Sequence, residues 1–263
     1  MADNLAATNK SLGQHWLTDP TILSNIAAAA ELSKQDFVLE IGPGLGTLTD
    51  LLCQQAERVM AVEYDERLAD NLANKQIANL QVVHSDFLQF DLSQLPAGYK
   101  VVANIPYYIT AKIVQKLVTA ANKPSVIVLL VQKEVAERLA AEPGAMSILA
   151  VSAQVYAEVS LGDEVPAAFF TPPPKVDSQV VILKTHPESL LADLDEKQFF
   201  RVVKAGFSAR RKKLRSSIAG GLGIDKTAAE TLLRQSGIDP NLRAQDLSLE
   251  DWRNLTKNGI ISE

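Results

Sequence analysis

The chain has 263 residues, 47% apolar and 22% charged, proportions that exclude a disordered or fibrous protein and suit one large domain or a large domain with a smaller one attached. A single cysteine excludes an intrachain disulfide, three scattered histidines offer no ligand spacing for a metal, and the longest apolar run, VIVLLV at 126–131, is too short to span a bilayer. The N-terminal MADNLAATNK lacks a basic stretch followed by an apolar core, so a cytoplasmic location is expected.

The Ala-rich SNIAAAAELS (24–33) predicts a helix ahead of the first strand. From Asp36 onward short apolar runs alternate with longer amphipathic stretches, which predicts an α/β fold with a parallel sheet covered by helices on both faces. The predicted strands are FVLEI (37–41), RVMAVE (58–63), LQVVH (80–84), KVVAN (100–104) and SVIVLLV (125–131). The next two, VYAEVSLGDEV (155–165) and QVVILK (179–184), are joined by the proline-rich AFFTPPPKVDS, which leaves no room for a crossover helix and predicts an antiparallel pair. After His186-Pro187 the strand signal stops, and EKQFFRVVKAGF, TAAETLLRQSG and LEDWRNLTKNG read as short helices. The expected domains are therefore 1–187, carrying the sheet, and 188–263, all helical.

The net charge of -5 argues mildly against a nucleic-acid partner, but charge is partitioned along the chain. RVVKAGFSARRKKLR (201–215) holds seven cations and no acid, which favours phosphate contact. On a continuous helix Lys204, Arg211 and Arg215 would share one face.

VLEIGPGLGTLT (38–49) reads as a strand, a glycine loop and a helix start, with Gly42, Gly44 and Gly46 letting backbone approach a ligand and Pro43 stiffening the turn. In open α/β folds that loop lies at the carboxyl edge, where ligands bind. Glu63 ends the second strand, where a carboxylate can accept both ribose hydroxyls of a nucleoside cofactor. The spacing does not fit the GxGxxG of dinucleotide binding. Instead EIGPG with Glu63 resembles the S-adenosylmethionine loop of class I methyltransferases, in which Asp86 of HSDF would face the adenine amino group. As a lone residue, an Asp here is more often a helix N-cap.

NIPYY (104–108) closes the fourth strand, which in such a fold ends at the reacting methyl group. An adenine amine is a poor nucleophile because its lone pair is delocalised into the ring. Acceptors on the Asn104 side chain and the Ile105 carbonyl would draw that nitrogen toward tetrahedral geometry, with Pro106 fixing the turn and Tyr107 stacking on the base.

Taken together, EIGPGLGTLT, AVEYD, HSDF, NIPYYIT, LVQKEVAERL and FTPPPKVDS resemble the ribosomal RNA adenine dimethyltransferase family, and the likeness covers nearly the whole chain. KSLGQHWLTDP (10–20) resembles that family's cofactor-side segment, usually GQNFL, with His15 and Trp16 in place of Asn and Phe. Tyr108 stands where an Asn is frequent. GIDPNLRAQDLS (237–248) resembles the C-terminal helical domain.

The resemblance implies that His15, Leu17, Gly42, Gly44, Glu63, Asp86 and Asn104 line an S-adenosylmethionine site. Phe170 would sandwich the target base, with Phe169 filling the core. Lys204, Arg210, Arg211, Lys212, Lys213 and Arg215 would grip RNA. The implied activity is double methylation of N6 on two adjacent adenosines near the 3′ end of small-subunit ribosomal RNA, within an assembling subunit, by a monomer that needs neither metal nor membrane. Two other readings stand beside it: a large-subunit adenine methyltransferase of the resistance type, and an RNA-binding assembly or transcription factor that keeps the fold without turnover.

Overall fold

The computed structural model describes residues 14–259, so Lys10–Gly13 of the N-terminal motif lie outside the described residues. The chain divides into two compact units. The first runs through Glu137 and resumes over Ala157–Thr185. The second comprises Arg138–Tyr156 and the chain from His186 onward.

The first unit opens with a two-residue strand β1 (Trp16–Leu17) and helix α1 (Pro20–Ala28). Asp19 accepts from the Thr21 and Ile22 amides at 3.0 Å each, and Pro20 occupies the first helical position. These signals start the helix ahead of the Ala-rich window, and the positive φ of Glu31 (48°) follows its end, so the predicted 24–33 helix is displaced toward the N-terminus. Then follow β2 (Phe37–Ile41), α2 (Thr47–Gln55), β3 (Arg58–Glu63), α3 (Glu66–Ala73), β4 (Leu80–His84), β5 (Lys100–Asn104), α4 (Thr110–Thr119), β6 (Val126–Gln132) and α5 (Lys133–Leu139). The strands β7 (Ala157–Val165), β8 (Phe170–Thr171) and β9 (Ser178–Thr185) complete this unit, β8 pairing with β1 and the others joining the sheet.

The sheet order is β4-β3-β2-β5-β6-β9-β7. Strands β2 to β6 are parallel, while β9 runs antiparallel between β6 and β7. Val38, Leu39, Val101, Val102 and Val128 to Val131 are fully buried, as their unbroken apolar runs require in a sheet covered on both faces. Strand order reverses at the β2/β5 junction, with successive strands added on one side of it and then on the other, so the loops after these two parallel strands splay apart and leave a crevice at the carboxyl edge.

The second unit contains α6 (Ile148–Gln154), α7 (Glu196–Phe207), α8 (Leu214–Leu222), α9 (Lys226–Gln235) and α10 (Leu249–Asn258). Phe199, Val203, Leu214, Leu233, Trp252 and Leu255 form its buried centre. A Cβ on Gly206 would lie 2.3 Å from the Trp252 ring, and one on Gly221 would lie 2.4 Å from the Ala205 Cα, so both glycines permit close packing.

A single boundary at 187 assigns 138–156 to the sheet, whereas this segment packs with the C-terminal helices. The Gly144 and Met146 amides donate to the Gln245 carbonyl at 2.8 and 3.1 Å, and the Gln245 side chain returns a bond to the Gly144 carbonyl at 2.9 Å. No local pattern announces a partner a hundred residues away.

Among the described residues, no helix is long and apolar enough to cross a membrane, and no group of three or more His, Cys, Asp or Glu is placed to hold a metal ion.

Candidate active site

The crevice at the carboxyl edge is a cavity of about 350 Å³, within the range of small-ligand sites. Its first wall is the glycine loop. Gly42, Gly44 and Gly46 all have positive φ (67°, 58° and 74°), the region that glycine enters without steric cost. A Cβ on Gly44 would stand 2.7 Å from the Trp16 ring, so glycine is required there for space as well as for conformation. The Leu17 carbonyl accepts from the Thr47 hydroxyl at 3.1 Å, which ties the N-terminal segment to the same loop.

Glu63 forms the second wall. Its Oε2 accepts from the Gly44 amide at 3.0 Å and its Oε1 from the Asp65 amide at 2.9 Å, so the carboxylate bridges the loops after β2 and β3. Each oxygen keeps a further lone pair. Burial raises the Glu63 pKa, and the backbone donors oppose that rise. Tyr64, 61% exposed, stands beside it on the cavity lining. Asp86 also lines the cavity, and its Oδ1 accepts from the Leu88 amide at 2.9 Å, a local turn bond of the kind its sequence context allowed.

Below the glycine loop Glu40 is 1% exposed, and its Oε2 has no hydrogen-bond partner among the described residues. Burial pushes this carboxyl up to about 8, and the neighbouring Glu63 charge acts in the same direction. The lining therefore contains three acids, Glu63, Asp86 and Glu40, the last largely protonated near neutral pH and adding little charge, and, among the described residues, no Lys or Arg. Such a cavity is matched to a cationic ligand with ribose hydroxyls and is mismatched to a pyrophosphate.

The third wall is the turn after β5. Asn104, half-buried at the end of that strand, has a side chain that hydrogen-bonds to nothing among the described residues. Ile105 is buried, Pro106 holds φ −60°, and Tyr107–Ile109 form a short 3₁₀ turn leading into α4. The Tyr107 hydroxyl lies 2.7 Å from the Ser178 hydroxyl, and its ring is parallel to that of His15, with centroids 6.2 Å apart. His15 Nδ1 lies 2.7 Å from the Pro172 carbonyl. A carbonyl can only accept, so Nδ1 carries the hydrogen.

His15, Leu17, Gly42, Gly44, Glu63 and Asp86 thus come together with Asn104, Ile105, Pro106 and Tyr107 around one cavity. Phe170 does not join them. It is 3% exposed, pairs with Leu17 across β1 and β8, and packs in the core with Val165 and Val180, while Phe169 is 45% exposed. The expected burial of the two phenylalanines is exchanged because Phe169 ends the exposed 3₁₀ turn Ala167–Phe169, whereas Phe170 opens β8 and its side chain enters the core. Trp16, Glu40, Tyr64 and Tyr108 line the cavity without having been singled out as site residues. Glu40 had a signal, a carboxylate inside the apolar strand FVLEI.

The basic stretch is not one helix. α7 ends at Phe207 and α8 begins at Leu214, so Lys204, Arg211 and Arg215 cannot share a helix face. Arg210, Arg211, Lys212 and Lys213 are exposed in the connecting turn. Lys213 donates to the Asn241 side chain at 2.9 Å, and Arg215 pairs with Glu230 at 3.4 Å, so the run is not wholly unopposed.

The sheet order, its inserted antiparallel strand and the acid-lined crevice define a class I methyltransferase. The chain belongs to the ribosomal RNA adenine dimethylase family, whose model it matches over residues 6–259. It is 42% identical over 251 residues to ribosomal RNA small subunit methyltransferase A of Dehalococcoides mccartyi strain CBDB1, with 94% of this chain and 86% of that protein covered. It is 41% identical over 261 residues to the protein of the same name from Ligilactobacillus salivarius, with coverages of 94% and 88%. Among solved structures it resembles a dimethyladenosine transferase from Plasmodium falciparum, with TM-score 0.80, 27% identity and coverages of 94% and 99%.

Proposed function

We propose that this protein transfers methyl groups from S-adenosylmethionine to N6 of two adjacent adenosines near the 3′ end of small-subunit ribosomal RNA. The carrying observation is that the Asn104 turn, with its uncommitted side-chain acceptor, opens into an acid-lined cavity that also presents Glu63. The relatives at 41–42% identity are small-subunit enzymes by name, which favours that target over the large subunit.

S-adenosylmethionine, when bound, supplies an electrophilic methyl group. Glu63 accepts the ribose hydroxyls on its remaining lone pairs, and Asp86 faces the adenine amine. The glycine loop brings backbone close to the ligand, while His15 and Leu17 close the cavity from the N-terminal side. Asn104 Oδ1 and the Ile105 carbonyl accept hydrogen bonds from the target amine and localise its lone pair. Pro106 holds both acceptors in place, and the Tyr107 ring supports the base. Each transfer leaves one N–H proton to be shed, and a neutral carboxamide is too weak a base to take it, so it passes to water.

The first unit is the cofactor-binding, catalytic domain and the second binds RNA through Lys204, Arg215 and the Arg210–Lys213 turn. The protein works as a cytoplasmic monomer on an assembling subunit. The deciding experiment is methyl transfer from labelled S-adenosylmethionine to unmodified small subunits and, in parallel, to unmodified large-subunit RNA, followed by mass spectrometry of each RNA digest. N6,N6-dimethyladenosine at two neighbouring positions is expected. Label confined to large-subunit RNA, or no transfer from a protein that binds cofactor and subunit, would overturn the reading.

A further inference from the structure

We propose that Tyr108 is a stacking platform for the nucleotide adjoining the target adenosine, an inference that rests on the function proposed above. Tyr108 lines the same cavity as Asn104 and Pro106 yet is 66% exposed, which places its ring at the rim. Successive side chains of a 3₁₀ turn are about 120° apart, so Tyr107 and Tyr108 point in different directions. Tyr107 is turned inward and held by Ser178 and His15. Tyr108 has neither a hydrogen bond nor a ring partner among the described residues.

The electrostatics of the cavity say what this ring can hold. The lining carries three acids and, among the described residues, no Lys or Arg, so phosphates gain nothing from approaching it. A base can still be held there by stacking, which depends on the π-face and not on charge. Withdrawing one adenosine from its strand uncovers a face of its neighbour, and an aromatic ring at the rim replaces the lost contact. The phenol suits that position, with an apolar face for the base and a hydroxyl left in water. The target has two adjacent adenosines, so the same ring serves whichever one lies outside while the other reacts.

The test is initial-rate methylation of unmodified small subunits by wild type, Tyr108→Ala, Tyr108→Leu and Tyr108→Phe, with mass spectrometry of both adenosines. The Ala and Leu variants are expected to raise KM for the subunit by about 5- to 150-fold, the range of a lost base–aromatic stack. KM for S-adenosylmethionine stays near wild type, and the fraction of RNA dimethylated at both positions falls. Tyr108→Phe keeps wild-type values. An unchanged subunit KM in both the Ala and Leu variants would overturn the platform while leaving the proposed function intact, and a Phe variant as impaired as Ala would assign the effect to the hydroxyl. A wild-type protein that methylates no small subunit removes both conclusions.

Discussion

Asn104 is placed by the strand that precedes it: three fully buried residues, Val101 to Ala103, anchor β5, and the chain emerges into the cavity at the next position. Asn104→Ala removes an acceptor needed at the transition state and leaves the sheet intact. We expect kcat to fall by about 10²- to 10³-fold while cofactor affinity changes little; wild-type turnover in labelled methyl transfer would show that the acceptor lies elsewhere. Glu40 gives a pH signature. Its ordinary value is 4.5 and its folded value about 8, so between these pH values the folded chain retains a proton that the unfolded chain has lost. Its contribution is fully favourable below 4.5 and declines as pH rises to about 8. Glu40→Gln removes this titration, so between about pH 5 and pH 8 the wild type should lose on the order of 3 kcal/mol more stability than the variant. Denaturant unfolding across that range measures the difference, and parallel curves would refute it.

Among the elements, the N-terminal strap and the glycine loop depend on each other, because Trp16 occupies the space that a side chain at Gly44 would need. Gly44→Ala combines that collision with a positive φ of 58°, and it displaces the amide that holds Glu63. Calorimetry should show cofactor affinity reduced about tenfold or more, with a far-UV spectrum like that of wild type; unimpaired binding would mean that the strap yields freely. The same elements show what a sequence reveals. The strands were legible because a buried parallel strand must be apolar along its whole length, and the residues at their carboxyl ends, Gly42, Glu63, Asp86 and Asn104, were legible with them. Phe169 and Phe170 were not, since two adjacent aromatics give no sign of which one ends the exposed 3₁₀ turn and which opens β8. The helix EKQFFRVVKAGF was legible to its end at Phe207, but whether the basic run beyond it continued as helix was not, because cations fit a helix and a turn alike. The β1–β8 pair is two residues long and contains no periodicity to detect.

Over the whole molecule, charge follows the division into units. The second unit has 14 Lys and Arg against 12 Asp and Glu, and the first has 12 against 19. The acidic average therefore conceals a helical unit able to meet phosphates. Replacing Arg210, Arg211, Lys212 and Lys213 together by Gln should weaken RNA binding and lower the slope of log affinity against log salt by up to about 3. A slope unchanged from wild type would place the phosphate contacts elsewhere. The position of β9 has a consequence for synthesis. It lies between β6 and β7 but is made after both, so a ribosome that has finished β6 has produced a strand, VIVLLVQ, whose eventual neighbour is still about fifty codons away. At typical elongation rates that edge remains open for roughly 3 to 10 s. The nascent chain thus carries an apolar strand edge of the kind that other chains pair with and that chaperones cover.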